Sequence, residues 1–314
     1  MIQRAYFFCA GVSFFLTGVV SSQAETITLI PSADTGIFEL DENFNFGAQD
    51  HVAAGTLANT VGRTKSRALY QFDVAGQLPE NAIIESASLE IEITRTPSGP
   101  ASSTFGLHRV LKPWGEGNKK GGLPGGAIAT EGEVTWLHRF FPDELWGTPG
   151  GESDADYSET SGATASSGNT KSTRRFVFNE SGIADLQNEL ENPDSNFGWM
   201  LISENESTAK TARRWATREN SSTPPQLEIE FSIKAPPVVI VPPVITSISI
   251  ELDGATVEFA AQKGVTYMLE AVSNVESSDW ASVSTTEATE DGNLKISDPE
   301  TKLARRIYRI AATN

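Results

Sequence analysis

Hydrophobic and polar side chains alternate at a period of two along several short stretches, and this pattern constrains the fold more than any other feature. In residues 87–93 and 227–231, apolar side chains at every second position are separated by serine or glutamate. Such alternation is typical of antiparallel strands that bury one face and expose the other. Residues 68–74 alternate in the same way, except that Leu69 places an apolar side chain on the polar face. The pattern predicts an all-β protein.

Two further stretches refine this prediction. Residues 199–202 are apolar throughout, which is typical of a central strand covered on both faces. Ile183, Leu186 and Leu190 follow a helical spacing and predict one short helix. Many short strands with a single helix predict a β-sandwich, and we expect the jelly-roll type.

The beginning of the chain has the organisation of a secretory signal peptide. Arg4 precedes an apolar stretch at residues 5–20, and small residues lead to a cleavage site after Ala24. The apolar stretch is shorter than the roughly 20 residues that span a bilayer, so cleavage is favoured over an uncleaved anchor. We therefore expect a secreted or cell-surface protein that begins at Glu25 and has no membrane span. The single cysteine, Cys9, lies in this peptide, so no disulfide would stabilise the mature chain.

A proline-rich stretch at residues 234–244 divides the mature chain. Paired prolines favour an extended spacer, although the apolar residues between them offer the alternative of packing on a neighbouring domain. The predicted domains are a jelly-roll β-sandwich at residues 25–233 and a small immunoglobulin- or fibronectin-like β-sandwich at residues 245–314. Within the second, the pair Asp253-Gly254 predicts a hairpin turn.

Residues 112–173 lack a regular pattern and are rich in glycine and serine. They predict a long loop in which aromatic side chains are scattered, namely Trp114, Trp136, Phe140, Phe141 and Trp146. These side chains either anchor the loop to the sandwich or form an aromatic platform for a ligand. We favour anchoring, because a long loop needs buried contacts to stay ordered.

Charge and motif content exclude several classes of function. The net charge of −17 disfavours binding to nucleic acid or to anionic lipid. None of the three histidines has metal-ligand spacing to another, and neither a nucleophile elbow nor a phosphate-binding loop is present. We therefore expect no enzyme. A glycosidase using acidic residues of the 152–156 loop, or a polysaccharide lyase using Tyr70 and Arg67, remains a remote alternative.

Short motifs recur in a characteristic order along the first predicted domain. In chain order they are Ala33-Asp34-Thr35, Asn43-Phe44-Asn45-Phe46-Gly47, Arg67-Ala68-Leu69-Tyr70-Gln71-Phe72-Asp73, Ala87-Ser88-Leu89-Glu90-Ile91, Leu107-His108-Arg109-Val110, Trp114-Gly115-Glu116-Gly117, Val134-Thr135-Trp136, Asn196-Phe197-Gly198-Trp199, Arg214-Trp215-Ala216-Thr217-Arg218-Glu219-Asn220 and Pro225-Gln226-Leu227. With this order and spacing, residues 33–231 resemble the DNRLRE-type domain of secreted bacterial proteins.

That family is related to jelly-roll carbohydrate-binding modules, including alginate binders, so the resemblance implies a jelly-roll fold and polysaccharide binding. Two departures concern the place where a ligand would sit. The family's Phe-x-Ser-Arg-Glu is replaced by residues 215–219, and the loop between Gly117 and Val134 is longer than in simple modules. The residues after the linker resemble, more loosely, the small sandwich that often ends such secreted proteins.

Basic residues gather in two segments of this acidic chain. The candidate glycan-binding residues are Arg174, Arg175, Arg214, Trp215 and Arg218. Arginine forks suit the carboxylates of a uronate-rich polysaccharide, and a tryptophan stacks on sugar rings. The alternative is that these arginines pair with Glu219, Glu228 and Glu230 to hold neighbouring strands in register.

Oxygen-bearing side chains cluster near the first predicted turn and suggest a structural Ca²⁺ site formed by Asp34, Asp41, Asn43 and Asn45. The spacing resembles the start of an EF-hand loop, but the glycine is displaced and the closing glutamate is missing. A turn stabilised by Asn and Asp side chains is the favoured alternative, and no cofactor is required.

These observations predict a non-catalytic secreted protein that binds an extracellular or cell-wall polysaccharide or a cell-surface glycan. The alternative is a structural cell-surface or matrix component that acts through contacts with other surface proteins.

Overall fold

The computed structural model describes residues 24–57, 64–121, 125–234, 240–251, 254–274, 279–299 and 306–313. The predicted signal peptide lies outside these residues up to Gln23, as does Asp253 of the predicted hairpin turn. The chain divides into two compact units, one ending at Lys234 and the other beginning at Ala235. Among the described residues, no helix is long and apolar enough to cross a membrane.

The first unit is almost entirely β-structure. Its strands are β1 (Glu25–Leu29), β2 (Ala33–Phe38), β3 (Phe44–Asn45), β4 (His51–Thr56), β5 (Lys65–Gln71), β6 (Ala82–Arg95), β7 (Thr104–Val110), β8 (Ala127–Ile128), β9 (His138–Phe140), β10 (Glu144–Leu145), β11 (Tyr157–Ser166), β12 (Thr173–Phe178), β13 (Trp199–Ser203), β14 (Arg213–Ala216) and β15 (Gln226–Ile233). Its helices are α1 (Val74–Gln77) and α2 (Glu180–Glu191), followed by a 3₁₀ turn at Pro193–Ser195.

The strands pair antiparallel in the order β1-β15-β6-β12-β11-β7-β13-β5-β4-β14, and β2 is added along β5. The long strand β6 closes this arrangement. Its first part pairs with β15, and its last residues pair with β14 at the far end of the order. Two-stranded sheets β3–β8 and β9–β10 complete the unit. The predicted all-β fold of jelly-roll sandwich class is confirmed.

The main hydrophobic core lies between the strands, where the alternating residues point inward. Leu89, Ile91 and Ile93 of β6 are fully buried, as the alternation predicted. The ring of Trp215 contacts Phe105 edge-on at a centroid distance of 5.0 Å. Fully burying a side chain of this size contributes roughly 1.5–3 kcal/mol, so this core accounts for much of the stability of a domain without disulfides.

A second hydrophobic cluster covers the outer face of β2, β5 and β13. Its members include Leu69 and Met200 together with the predicted loop anchors Trp114, Trp136 and Trp146. This cluster explains why Leu69 interrupts the polar face of its strand, and it buries all five residues of β13. The anchoring interpretation therefore holds for the three tryptophans, whereas Phe140 and Phe141 are half-buried.

Helix α2 confirms the short helix predicted at residues 183–190 and extends it by three residues at its start and one at its end. Asn179 caps the helix because its side-chain oxygen accepts a hydrogen bond from the Gly182 N–H at 2.9 Å. Leu186 and Leu190 bury against the main core, and Ile183 packs at its edge. The helix thus packs mainly against β6 and β11.

The second unit is a small sandwich of two three-stranded antiparallel sheets, β16-β17-β20 and β19-β18-β21. Its strands are β16 (Ile245–Glu251), β17 (Gly254–Ala261), β18 (Thr266–Val272), β19 (Ala281–Glu287), β20 (Gly292–Asp298) and β21 (Ile307–Thr313). Ile240 packs against the core of this unit, and the Val241 N–H donates to Gln262 Oε1 at 2.6 Å. The described end of the proline-rich stretch thus packs on the second unit, as the alternative interpretation proposed.

Candidate functional site

Trp215 does not lie on a ligand-binding face, so its predicted stacking on a sugar ring is wrong. Its side chain is 0% exposed and packs between Phe105 and Phe176 in the main core. Arg214 and Trp215 are consecutive residues of β14, and consecutive side chains of a strand point to opposite faces. The two residues therefore cannot share a surface.

Arg174 is also misassigned, because it points toward the end of the core in the same row as Phe176. Its Nε donates to the Ser167 carbonyl at 3.0 Å. The neighbouring Arg213 is fully buried and donates to the carbonyls of Ala101 and Gly168, each at 2.7 Å. The two guanidinium groups close this end of the sandwich through main-chain oxygens, which is a structural role.

Arg175 follows the ion-pair alternative. It lies on the exposed face of β12 and contacts Glu228 at 3.2 Å and Glu90 at 3.7 Å, which belong to β15 and to the adjacent strand β6. Exposed ion pairs of this kind contribute at most about 1 kcal/mol. The guanidinium of Arg175 is therefore already matched by carboxylates and is a poor candidate for binding an anion.

Arg218 is likewise neutralised within the protein. It donates to Glu116 Oε2 at 2.7 Å and to Glu219 Oε1 at 3.0 Å, and it also contacts the Ser32 carbonyl. Of the four arginines predicted to bind a ligand, only Arg214 has no side-chain hydrogen bond or ion pair within the described part of the chain.

Arg214 lines a cleft of about 320 Å³ between β2, β4, β14 and the segment that follows β6. Its polar rim includes Arg95, Arg214 and His51. The apolar side chains of its wall include Phe38, Phe46, Val52 and Leu57. The cleft therefore combines a cationic rim with a largely hydrophobic interior.

Two arginines of this rim face each other across neighbouring strands. Arg214 pairs in register with Arg95. Among the described residues, neither guanidinium has an ion pair or a side-chain hydrogen bond. Burial lowers the pKa of Arg214, the positive charge of Arg95 lowers it further, and the negative charge of Asp50 opposes both effects. A bound anion would relieve the repulsion between the two arginines.

His51 supplies a third polar group at the rim. Its Nδ1 contacts the Asp50 carboxylate at 2.5 Å. Burial lowers the pKa of His51, as does the charge of Arg214, while the hydrogen bond to Asp50 opposes both. The neutral ring donates through Nδ1 to Asp50, which leaves Nε2 as a hydrogen-bond acceptor.

Sequence reasoning missed Arg95 and His51. Each is isolated in sequence from the two basic segments, and only the closure of β6 on β14 and the pairing of β4 with β14 bring them to Arg214. The one local signal is that Arg95 ends the longest alternating strand with a charged residue.

The predicted Ca²⁺ set is not assembled by the fold. Asn45 is fully buried, and its amide donates to the carbonyls of Glu116 and Val134 at 2.7 and 3.1 Å. Its Oδ1 accepts from the N–H groups of Gly47 and Lys119. Both donors and both lone pairs are thus used within the protein, so Asn45 cannot ligate a cation.

The other members of that set lie apart from any common centre. Asn43 is exposed, and its carbonyl accepts from the Ala129 N–H. Asp41 closes a turn by accepting the Phe44 N–H on its main-chain oxygen. Burial raises the pKa of the Asp41 carboxyl. The turn interpretation therefore describes residues 41–45 better than a metal loop does.

Asp34, by contrast, lies in a different acidic cluster. One carboxylate oxygen from each of Asp34, Glu116 and Glu219 lies within 4.8 Å of the other two. The Asp34 N–H donates to Glu116 Oε1 at 2.8 Å, and Asp34 Oδ2 accepts from the Arg218 N–H at 2.7 Å. Burial raises the pKa of Asp34 to about 8, opposed by the Arg218 hydrogen bond and reinforced by the two glutamates.

Comparisons with known proteins do not assign the chain to a family. No family model matches it, and no curated protein matches it significantly. A solved structure of the Macrobrachium rosenbergii nodavirus shares 10% identity over 99% of this chain and 96% of that chain, with a TM-score of 0.22. This likeness is too low to support an argument. The resemblance to the DNRLRE-type domain stays a prediction, and the fold and cleft define the chain as a two-unit all-β protein.

Proposed function

We propose that this protein is a secreted, non-catalytic carbohydrate-binding protein that binds an acidic, uronate-rich polysaccharide in the cleft beside β14. The observation that carries this proposal is the pairing of Arg95 with Arg214. Within the described part of the chain, neither side chain has a carboxylate partner, although the protein carries a net charge of −17.

The electrostatics of the pair favour an anionic ligand. Like charges directly opposite each other on neighbouring strands are destabilising. A carboxylate between two guanidinium groups removes that repulsion and accepts charge-assisted hydrogen bonds from both. Binding energy therefore comes from relieving a cost that the unliganded protein carries.

The dimensions and lining of the cleft suit a sugar. Its volume of about 320 Å³ falls at the small end of the roughly 300–1,000 Å³ typical of ligand pockets. The apolar wall offers a surface for the C–H face of a pyranose ring, while His51 Nε2 is an acceptor for a hydroxyl group. A short part of a polymer would enter the cleft, and the rest of it would extend over the surface.

The predicted signal peptide supports an extracellular location, where such polysaccharides occur. The resemblance to the DNRLRE-type domain, with its alginate-binding relatives, points to the same ligand class. In this scheme the second unit displays or attaches the first and takes no part in recognition.

Affinity electrophoresis in gels containing neutral or uronate-rich polysaccharide tests the proposal. Wild-type protein is expected to be retarded only by the acidic polymer, and Arg95→Gln/Arg214→Gln to migrate freely. The matched control is Arg175→Gln, because that guanidinium is exposed yet already paired with Glu90 and Glu228. If no polysaccharide retards the wild type, the proposal is wrong, and the alternative function of a structural protein that acts through protein contacts is favoured.

A further inference from the structure

The acidic cluster of Asp34, Glu116 and Glu219 has two carboxylate oxygens without partners. Asp34 is 1% exposed, and its Oδ1 is buried without a hydrogen-bond partner among the described residues. Glu219 Oε2 is buried and unpartnered in the same way. Leaving a buried acceptor unsatisfied costs about 1–3 kcal/mol, and more for a charged group. Most buried polar atoms of native proteins have a partner, so two unpartnered oxygens in one acidic cluster call for an explanation, and a bound ion supplies one.

The remaining oxygens of the cluster are oriented by the surrounding chain. Glu116 uses Oε1 for the Asp34 N–H and Oε2 for the Arg218 guanidinium. The Arg218 side chain donates to Glu219 Oε1, and the main-chain N–H of Arg218 donates to Asp34 Oδ2. These bonds hold the three carboxylates together, and one oxygen of each lies within 4.8 Å of the others.

The charge of the cluster matches a divalent cation. With a cation bound, the three carboxylates are ionised and carry three negative charges, and Arg218 compensates one of them. The two negative charges that remain equal the charge of one divalent cation.

We propose that Asp34, Glu116 and Glu219 bind one Ca²⁺ ion. An all-carboxylate donor set selects a hard cation, and oxygens that lie within 4.8 Å of one another can share one ion at the typical Ca²⁺–oxygen distance of about 2.4 Å. Ca²⁺ also tolerates an irregular ligand arrangement completed by water, whereas Mg²⁺ demands a compact octahedron. This ligand set shares only Asp34 with the set predicted from the sequence.

The ion would join three distant segments of the first unit. Asp34 lies on β2, Glu116 follows β7, and Glu219 follows β14. Gly36 and Arg214, which line the cleft, lie close in sequence to Asp34 and Glu219. Ca²⁺ thus stabilises the two strands that bear the cleft, and this role holds whether or not the cleft binds a polysaccharide.

Calorimetric titration of the chelator-treated protein with CaCl₂ tests the proposal, together with thermal unfolding in Ca²⁺, Mg²⁺ or EDTA. We expect one Ca²⁺ per chain with a Kd of about 10⁻⁴–10⁻³ M, as in extracellular calcium modules. Saturating Ca²⁺ is expected to raise the melting temperature, and Mg²⁺ at the same concentration to have a much smaller effect.

Asp34→Asn and Glu219→Gln are each expected to weaken Ca²⁺ binding at least tenfold and to abolish the Ca²⁺-dependent shift. Both variants are measured so that one of them can still test the site if the other does not fold. Asp41→Asn is the matched control, since Asp41 belongs to the sequence-predicted set but lies outside the cluster, and it should bind Ca²⁺ like wild type. An absence of Ca²⁺ binding by the wild type, unchanged binding by Asp34→Asn, or equal stabilisation by Mg²⁺ overturns the proposal.

Discussion

Arg214 of β14 lies opposite Arg95 of β6 in the antiparallel register that closes the first unit. Protein surfaces generally place opposite charges across a strand pair, because like charges there are destabilising. Arg175 of β12 follows that rule, because it lies opposite Glu90 of β6 and also contacts Glu228 of β15. The contrast between these two arrangements on one acidic protein is the basis for assigning anion recognition to the cleft.

The burial of Trp215 predicts a large effect on stability. Trp215→Ala is expected to lower the free energy of unfolding by about 3–5 kcal/mol, because it removes the ring that packs on Phe105 and Phe176. Trp215→Phe should cost much less, since it keeps an aromatic ring and removes an indole N–H that has no acceptor in the described structure. Urea denaturation measures both values. A Trp215→Ala protein as stable as wild type would contradict the buried position.

Arg67 forms a largely buried ion pair and also contacts the long loop. It donates from Nε and Nη2 to Glu206 at 2.9 and 2.8 Å and from Nη1 to the Gly150 carbonyl of the loop at 2.9 Å. Glu206→Gln leaves the guanidinium without its counter-charge and is expected to destabilise the protein by about 3–5 kcal/mol.

The exposed pair provides the comparison for that variant. Glu228→Gln, which weakens the contact with Arg175, is expected to cost less than about 1 kcal/mol. Equilibrium unfolding of both variants under the same conditions checks the difference. Equal effects of the two substitutions would show that the Arg67 pair is not held in a desolvated site.

Glu189 on α2 predicts a dependence of stability on pH. Burial raises the pKa of Glu189 from 4.5 to about 8, with Arg109 opposing the shift and Asp185 reinforcing it. Between these values the folded protein holds a proton that the unfolded chain releases, so stability falls as the pH rises through this window. The slope contributed by this group is at most about 1.4 kcal/mol per pH unit.

Glu189→Gln should therefore be more stable than wild type above about pH 8 and similar to it near about pH 5. Chemical denaturation across this range measures the slope. Glu191→Gln, at an exposed position of the same helix, should keep the wild-type slope. A Glu189→Gln protein with an unchanged slope would place the titrating group elsewhere.

Local sequence patterns were sufficient for the class of fold. The alternation in residues 87–93 and 227–231 predicted β6 and β15, and the apolar run at residues 199–202 predicted the doubly covered strand β13. These features are local because strand burial repeats every second residue. The spacing of Ile183, Leu186 and Leu190 identified α2 because the buried side of a helix also repeats locally, about every 3.6 residues.

The candidate site was not accessible in this way, because it depends on register between distant strands. Arg95 and Arg214 are far apart in sequence, and the local sequence around either residue does not predict that the two are paired. The period of two did exclude one feature of the predicted site, because Arg214 and Trp215 are consecutive and cannot face the same side of a strand. Similarly, Asn45 has the right atoms for a cation, but long-range hydrogen bonds to Glu116 and Val134 occupy its amide.

The most direct test of polysaccharide recognition is the Kd for a uronate oligosaccharide, measured by calorimetry at two salt concentrations. We expect Arg95→Gln/Arg214→Gln to weaken binding at least tenfold without loss of thermal stability, Arg175→Gln to bind like wild type, and added salt to weaken the wild-type interaction. Equal Kd values for wild type and the Arg95→Gln/Arg214→Gln protein would contradict the account, because they would place recognition outside the cleft.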